Sequence, residues 1–510
     1  MELEDLPDHV IHQIMHFLPY EEATKFSVLS RSFNSYWLSF PTLNFSYKST
    51  LSEDVSYQTF FNIVQKTLQS RGPYIKGSLH NLSLSYNDKS SIFPSSLRKR
   101  GRSDSNSYRQ VFDVLLNFAV ENNVKEINFD IIFHGFSQLG DIMNNINVTH
   151  DSLLPLFSSQ FLTVLKLTGI KILPFDAFMK CPKLTELLFK SCDGFQTINV
   201  SSSSSLKQFE VKWCKGLQAI QILDGKSLQS FKFEGYDDQD QQCTLDISDC
   251  LAVRVLKLTT ATTITDEWLK KTIQGLSYLE ELEICNCNLL EKIEFEKYSL
   301  KRFSLFDCLE LKEVVVDVPN LLEFDFNGSI EYPICILSAK CNGNILLPYG
   351  ISNLVLVKEF LSCFDHFKDL SLSCFRFEYM IVPRHDMQLD TLSALYDLRH
   401  IKLEAIEESL PSGRTLTKLL EGLLWLMPRL QTITLYSHVT KTTSTLKFKY
   451  GKKVESKNLK VGDCCYDVLI KCWRHYELKI EFEGFDEYVR KYLENFFASS
   501  LRNYGIYRDS

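Results

Sequence analysis

The chain has 510 residues, 45% of them hydrophobic and 23% charged, so it can bury a large core and is not intrinsically disordered over most of its length. Its 56 Lys plus Arg against 63 Asp plus Glu give a net charge of -7, which argues against a general nucleic-acid binder. No apolar run approaches the roughly 18 residues that a membrane-spanning helix needs, so we expect a soluble protein with no membrane partner.

The N-terminal segment predicts two or three short helices. Pro7 suits a first helical turn, and apolar residues follow at helical spacing as far as Leu18, before Pro19. A second helical stretch opens with the acidic Glu21 and continues to Leu38. These helices carry more apolar surface than they can bury alone, so we expect them to pack against something else.

A repeat occupies most of the remaining chain. Apolar residues recur at i, i+3 and i+5, and the last two alternate as in a half-buried strand. The clear copies begin at Leu162, Leu184, Leu206, Leu228, Val253, Leu279, Leu300 and Leu321. Looser copies begin at Leu79, Val124, Phe367, Leu398 and Leu430. The regular spacing of the clear copies predicts a leucine-rich-repeat solenoid of parallel strands, with a right-handed parallel β-helix as the alternative.

Four units carry a cysteine eight positions after their first apolar residue, at Cys192, Cys214, Cys287 and Cys308. The pattern resembles that of leucine-rich repeats, in which this position turns inward and satisfies backbone groups of the loop. A zinc site would need four converging ligands rather than one thiol per coil. We therefore expect buried, reduced thiols and no metal or other cofactor.

Several coils show a second regular element. A second apolar triplet follows the first in these coils and begins at Phe195, Leu217, Leu290 and Leu311, which predicts a second strand in each of them. The longer coil after Val253 instead contains Thr265, which can cap a helix whose first turn carries acidic residues.

The C-terminal region predicts a cap for the last coil. Leu478, Ile480 and Phe482 alternate as a strand, and an amphipathic helix follows. Between Lys441 and Lys460, lysines alternate with apolar residues, which predicts a charged edge strand. The predicted domains are a helical segment at 1–42, the solenoid at 43–435 and a capping region at 436–510.

Several motifs of the helical segment, Leu6-Pro7-Asp8, Phe17-Leu18-Pro19, Ser27-Val28-Leu29-Ser30-Arg31 and Trp37, resemble the F-box of plant F-box/leucine-rich-repeat proteins. The resemblance implies that this segment docks on the Skp-family adaptor of cullin-RING ubiquitin ligases. Carried over by position, the adaptor-facing or supporting apolar surface comprises Leu6, Pro7, Ile11, Ile14, Leu18, Pro19, Val28, Leu29 and Trp37. The C-terminal region is similar to the FBD-like tail of such proteins. The alternative is that these helices only cap the first coil.

The side of the repeat sheet that faces away from the core is the expected partner surface. Strand side chains alternate, so this side is formed by residues at i+2, i+4 and i+6. In the eight clear units these positions hold six basic and seven acidic residues, a mixture that suits protein recognition and disfavours a phosphate backbone. The candidate contacts with a protein substrate are Leu188 and Phe306.

These patterns favour a non-catalytic subunit that recognises substrates for an SCF-type E3 ubiquitin ligase. A leucine-rich-repeat scaffold or small-molecule receptor outside ubiquitination is the alternative. A β-helix enzyme acting on polysaccharide is a third possibility and would require secretion. The opening Met-Glu-Leu-Glu-Asp lacks the apolar core of a secretory signal, so we expect the protein in the cytoplasm, the nucleus or both.

Overall fold

The computed structural model describes residues 6–18, 20–49, 57–77, 79–88, 105–133, 146–148, 150–201, 203–236, 242–329, 332–337, 341–347, 360, 364, 367, 369–381, 398–453 and 473–502. The chain divides into two compact units. The N-terminal unit comprises Met1–Thr263 with Gly275–Ser277, and the C-terminal unit comprises Ile264–Gln274 with Tyr278–Ser510. None of the helices within the described ranges is long and apolar enough to cross a membrane.

The N-terminal unit begins with three short helices, as the sequence predicts. They are α1 (Asp8–Phe17), α2 (Tyr20–Lys25) and α3 (Arg31–Ser39), with a 3₁₀ turn at Phe26–Val28. Three longer connections of the same unit contain α4 (Tyr57–Ile75), α5 (Ser105–Glu121) and α6 (His150–Phe157).

The strands of the N-terminal unit form two parallel sheets. In chain order they are β1 (Thr42–Ser49), β2 (Asn81–Asp88), β3 (Glu126–Phe133), β4 (Ile146–Val148), β5 (Val164–Thr168), β6 (Ile170–Met179), β7 (Glu186–Lys190), β8 (Asp193–Val200), β9 (Gln208–Lys212), β10 (Ala219–Ile222), β11 (Ser230–Glu234), β12 (Thr244–Asp246) and β13 (Val255–Thr259). The main sheet runs β1-β2-β3-β5-β7-β9-β11-β13. The second sheet runs β4-β6-β8-β10-β12.

Much of the core of this unit lies between the two sheets, and beside β3 it includes α5, whose Phe112 packs on Phe129. Alternate side chains of each main-sheet strand are buried, as Leu165 and Leu167 are in β5. Phe189 of the main sheet packs against Phe195 of the second sheet with ring centroids 4.8 Å apart. The predicted apolar triplets therefore supply both layers, which is why a chain with this short repeat folds as stacked coils.

The C-terminal unit has a similar architecture of parallel strands. Its strands are β14 (Glu281–Cys285), β15 (Lys292–Glu296), β16 (Arg302–Phe306), β17 (Glu313–Asp317), β18 (Glu323–Asn327), β19 (Ile334–Leu337), β20 (Asn342–Leu346), β21 (Asp369–Cys374), β22 (His400–Ala405), β23 (Thr432–Ser437), β24 (Thr442–Lys453) and β25 (Tyr476–Glu483). Its helices are α7 (Asp266–Gly275), α8 (Gly413–Leu426) and α9 (Glu487–Arg502), with 3₁₀ turns at Phe377–Met380 and Trp473–His475.

The pairing of these strands changes at the C-terminal cap. Strands β14, β16, β18, β20, β21, β22 and β23 are parallel in that order, and β15, β17 and β19 form a small second sheet. Strands β24 and β25 then add antiparallel. The predicted fold class, a helical segment followed by a leucine-rich-repeat solenoid of parallel strands with a C-terminal strand and helix, is confirmed.

The prediction of a charged edge strand between Lys441 and Lys460 is wrong. Strand β24 pairs on both sides, with β23 and with β25. Its lysines face glutamates of β25: Lys447 pairs with Glu483, and Lys449 Nζ lies 2.7 Å from Glu481 Oε1. Lys447 and Lys449 therefore have partners across the sheet, while Lys457 and Lys460 of the predicted segment lie outside the described residues.

The expected burial of the repeat cysteines is confirmed: Cys192, Cys214, Cys287 and Cys308 are all buried. The Cys192 thiol donates to the Leu167 carbonyl at 3.3 Å, so it satisfies backbone of the preceding coil. The predicted second strands appear as β8, β10, β15 and β17, and the Thr265 hydroxyl accepts the Trp268 N–H at 3.3 Å at the start of α7.

Candidate docking and partner-binding surfaces

The three N-terminal helices form a small core of their own. Ile11 and Met15 of α1 pack with Ala23 of α2 and with Phe40, which directly follows α3. The Pro7 carbonyl starts α1 by accepting the N–H groups of Val10 and Ile11. Proline fits this place because the N–H that it lacks would have no partner inside the helix.

Helix α3 is fixed at both ends. The Ser30 hydroxyl caps it by accepting the Phe33 N–H at 3.2 Å. Near its end, His12 Nε2 lies 3.0 Å from the Tyr36 carbonyl and 3.2 Å from the Ser39 hydroxyl, which ties α3 to α1. The helices therefore present a defined surface rather than three independent segments.

Part of that surface is apolar and open to solvent. Phe17 at the end of α1 is 86% exposed, and Val28 and Leu29 beside the 3₁₀ turn are 82% and 63% exposed. We call these three residues the apolar flank. Large apolar side chains that are exposed in one small domain are candidates for contact with a partner.

The predicted adaptor residues divide into three groups. Val28, Leu29 and Pro7 are exposed, Leu6, Ile14, Leu18 and Trp37 are half-buried, and Ile11 is fully buried. Ile11 can therefore only support the surface from behind. Pro19 lies outside the described residues. Phe17, which the sequence analysis did not select, is the most exposed of the large apolar residues here. The sequence feature that points to Phe17 is its place directly before Leu18 in the Phe17-Leu18-Pro19 motif.

Trp37 faces the first repeat coil. The Arg71 guanidinium of α4 lies 4.3 Å from the Trp37 ring centroid, and Arg71 itself is only 1% exposed. Arg71 also donates to the Phe40 carbonyl, which accepts the Thr42 N–H of β1 as well. The chain passes from α3 almost directly into β1, so this contact holds the helical segment to the repeats without a flexible linker.

The second candidate surface is the side of each main sheet that does not face the core, which we call the open face. In β5 to β13 of the N-terminal main sheet it carries five lysines and three glutamates, and β3 adds two acidic residues. These are Lys166, Lys190, Lys212, Lys232, Lys257, Glu186, Glu210, Glu234, Glu126 and Asp130. Positive and negative charges are balanced there, and Leu188 lies half-buried among them.

The open face of the C-terminal unit has a different charge. Between β14 and β23 it carries six acidic residues and two basic ones, with Phe306 half-buried among them. The acidic residues are Glu281, Glu283, Glu323, Asp325, Asp369 and Glu404, and the basic ones are Arg302 and Lys402. The overall balance expected from the sequence therefore hides an uneven distribution between the two units.

The thiols buried inside the coils are poorly suited to nucleophilic chemistry. Burial raises the pKa of the Cys181 and Cys308 thiols to about 11, so both stay protonated at neutral pH and are poor nucleophiles. No group of three or more His, Cys, Asp or Glu within the described ranges is placed to hold a metal ion. What the described residues do provide is an exposed apolar flank and two extended, charged sheet faces.

Comparison with known proteins bears on the first of these surfaces. The F-box domain model matches residues 3–44, so the N-terminal helical region is an F-box domain. An F-box/LRR-repeat protein of Arabidopsis thaliana is 35% identical over 78 residues, which are 15% of this chain and 24% of that relative. The match thus spans about a quarter of the relative's length.

Proposed function

We propose that this chain is the substrate-recognition subunit of an SCF-type E3 ubiquitin ligase. In this proposal the F-box docks on a Skp-family adaptor, and the open faces of the repeats bind the protein to be ubiquitinated. The ligase's catalytic groups would come from other subunits, since the chain would act by holding two partners in a fixed arrangement. Proximity of this kind converts a slow encounter between substrate and enzyme into a local one.

The observation that carries the proposal is the apolar flank on an F-box domain. Phe17, Val28 and Leu29 are exposed although the same helices bury a core that includes Ile11 and Met15. A helix bundle that only capped the first coil would direct such side chains toward the repeats. Exposed apolar residues on a rigid support instead suit a permanent partner, because little ordering is needed when the partner binds.

Charged substitutions in the apolar flank test the proposal. We expect Phe17→Glu and Val28→Glu each to weaken binding of a plant Skp-family adaptor at least about 30-fold, the usual effect of losing a central apolar contact. Because both side chains are exposed, the fold should survive. Ile14 and Leu18 are less suitable targets since they are half-buried, and a charge there would disturb the bundle itself.

Leu173→Glu is the matched control, because Leu173 is 79% exposed in β6 of the same unit and lies outside the F-box. Adaptor affinity, measured by isothermal titration with the full chain, should be unchanged in this variant. Equal binding by wild type, Phe17→Glu and Val28→Glu would refute the proposed docking surface. A wild-type chain with no affinity for the adaptor would favour a scaffold or small-molecule receptor built on the same repeats.

A further inference from the structure

Coils of the N-terminal unit share a backbone feature at the end of their main-sheet strands. The residue after the strand has a left-handed conformation at Gly169 (φ 71°), Ser191 (φ 50°), Trp213 (φ 51°) and Thr260 (φ 50°). In the first three, its N–H donates to the carbonyl of the last residue of the next main-sheet strand, as Trp213 does to Glu234 at 2.8 Å. In these three coils the left-handed residue thus also bonds to the neighbouring coil.

Trp213 adopts a conformation that favours glycine, because any Cβ approaches the following carbonyl there. The same place is taken by Gly169, Ser191 and Thr260 in other coils, and Trp213 is the aromatic one among these four. A residue in this conformation depends on its surroundings for support, so the contacts of the Trp213 side chain decide what it can do.

The contacts of the indole hold it rigidly at the rim of the open face. Its Nε1–H donates to Glu234 Oε1 at 2.9 Å, and Lys190 Nζ lies 5.2 Å from the ring centroid. The side chain nevertheless stays 40% exposed. A large aromatic ring that is fixed but accessible loses little entropy on binding, which is typical of residues that dominate interfaces.

The charges beside Trp213 are unequally matched. Lys212 pairs with Glu210 at 2.9 Å, so its charge is offset within the sheet. Lys190 and Lys215, by contrast, have aromatic neighbours: Lys215 Nζ lies 6.0 Å from the Tyr236 ring centroid. Within the described ranges neither forms an ion pair with a carboxylate, so both can accept an anionic group without breaking an existing bridge.

We propose that Trp213, Lys190 and Lys215 anchor an acidic segment of a protein partner, with an apolar side chain of that segment packed on the indole and its carboxylates beside the two lysines. The inference rests on the proposed function, since the partner would be the protein to be ubiquitinated. Leu188, two positions before Lys190 in β7, extends the apolar part of the site.

The test uses the full chain bound to its adaptor and a displayed library of short random peptides, with the Trp213→Gly protein as counter-selection. We expect the recovered peptides to combine Asp or Glu with a large apolar residue. Trp213→Gly should weaken the binding of a synthetic copy of a recovered peptide at least about 30-fold, and Lys190→Gln should weaken it roughly 5-fold. Phe161→Ala is the matched control, because Phe161 is 44% exposed with Lys183 Nζ 5.6 Å from its ring, and it should bind normally.

The fold of the variants is checked separately. Because glycine relieves the strain, Trp213→Gly should melt within about 4 °C of wild type. Trp213→Asn, which also tolerates the left-handed region, gives a second variant that lacks the ring. The inference would be overturned if the recovered peptides were basic, or if no recovered peptide required Trp213 for binding. It would also be overturned if the Trp213-dependent ligand were a single-stranded oligonucleotide and not a peptide. Adaptor binding is measured in parallel. If Trp213→Gly still binds the adaptor but no peptide depends on Trp213, the inference fails while the proposed docking of the F-box stands.

Discussion

The contact between Trp37 and Arg71 yields a quantitative prediction about how the F-box is held on the repeats. The Trp37 ring stacks on Phe40 with centroids 6.1 Å apart and lies 4.3 Å from the buried Arg71 guanidinium. Truncating a fully buried tryptophan to alanine costs about 3–5 kcal/mol of stability, so truncating the half-buried Trp37 should cost about 2 kcal/mol. Loss of the cation–π contact at this half-exposed ring adds about 1 kcal/mol. Trp37→Ala should therefore lower the local stability of α3 by about 3 kcal/mol.

Native-state hydrogen exchange of the α3 amides measures this quantity, because it reports local opening without unfolding the whole solenoid. A double-mutant cycle with Arg71→Met isolates the pair, and we expect a coupling energy of about 1–2 kcal/mol. Additive single effects, with coupling below about 0.3 kcal/mol, would refute the idea that Arg71 and Trp37 act together. The same variants should keep the exchange protection of β9 and β11, which lie far along the sheet.

Three further predictions concern the fold and its pH dependence. Gly343→Ala should destabilise the C-terminal unit by about 1–3 kcal/mol in urea unfolding, because a Cβ there would lie 2.8 Å from the Phe367 ring. Gly275→Ala is the control: its Cβ would meet no atom within 4 Å, so the substitution should be neutral or stabilising. Burial raises the pKa of the Cys308 thiol from 9.0 to about 11. As the pH rises, the unfolded chain therefore loses this proton before the folded chain does, and the free energy of unfolding should fall between pH 9 and pH 11. A free energy of unfolding that stays constant over this range would contradict the prediction. Ser30→Ala should cost about 1 kcal/mol, seen as faster exchange of the first α3 amides, and unchanged exchange would mean that the cap is not needed.

The repeat could be predicted from sequence because its signal is local and recurs. In each predicted repeat unit the main-sheet strand begins two positions after the first apolar residue of the unit, for example Glu281 after Leu279 and His400 after Leu398. Strand β20 escaped this pattern because Gly343 occupies its core position and leaves space for Phe367. A glycine that is selected for the space it leaves gives no hydrophobic signal.

Features that depend on distant partners were not accessible in the same way. The lysines of β24 suggested an exposed edge because their matching glutamates, such as Glu481, lie in β25, far beyond β24 in the sequence. Phe17 and Leu18 are adjacent and equally apolar, and only the packing of α1 leaves Phe17 in solvent. The left-handed backbone of Trp213 is likewise not signalled by its neighbours in sequence, and its N–H bonds to Glu234 of the next coil.

Hydroxyl-radical footprinting of the full chain, alone and with a Skp-family adaptor, tests the division of labour between F-box and repeats most directly. Side-chain oxidation of Phe17 and Leu29 should fall sharply when the adaptor binds, because both become buried. Oxidation of Trp213 and Phe178, which are exposed on the repeats, should not change. Protection that is confined to the repeats, with Phe17 and Leu29 still oxidised at the rate of the free chain, would contradict the account.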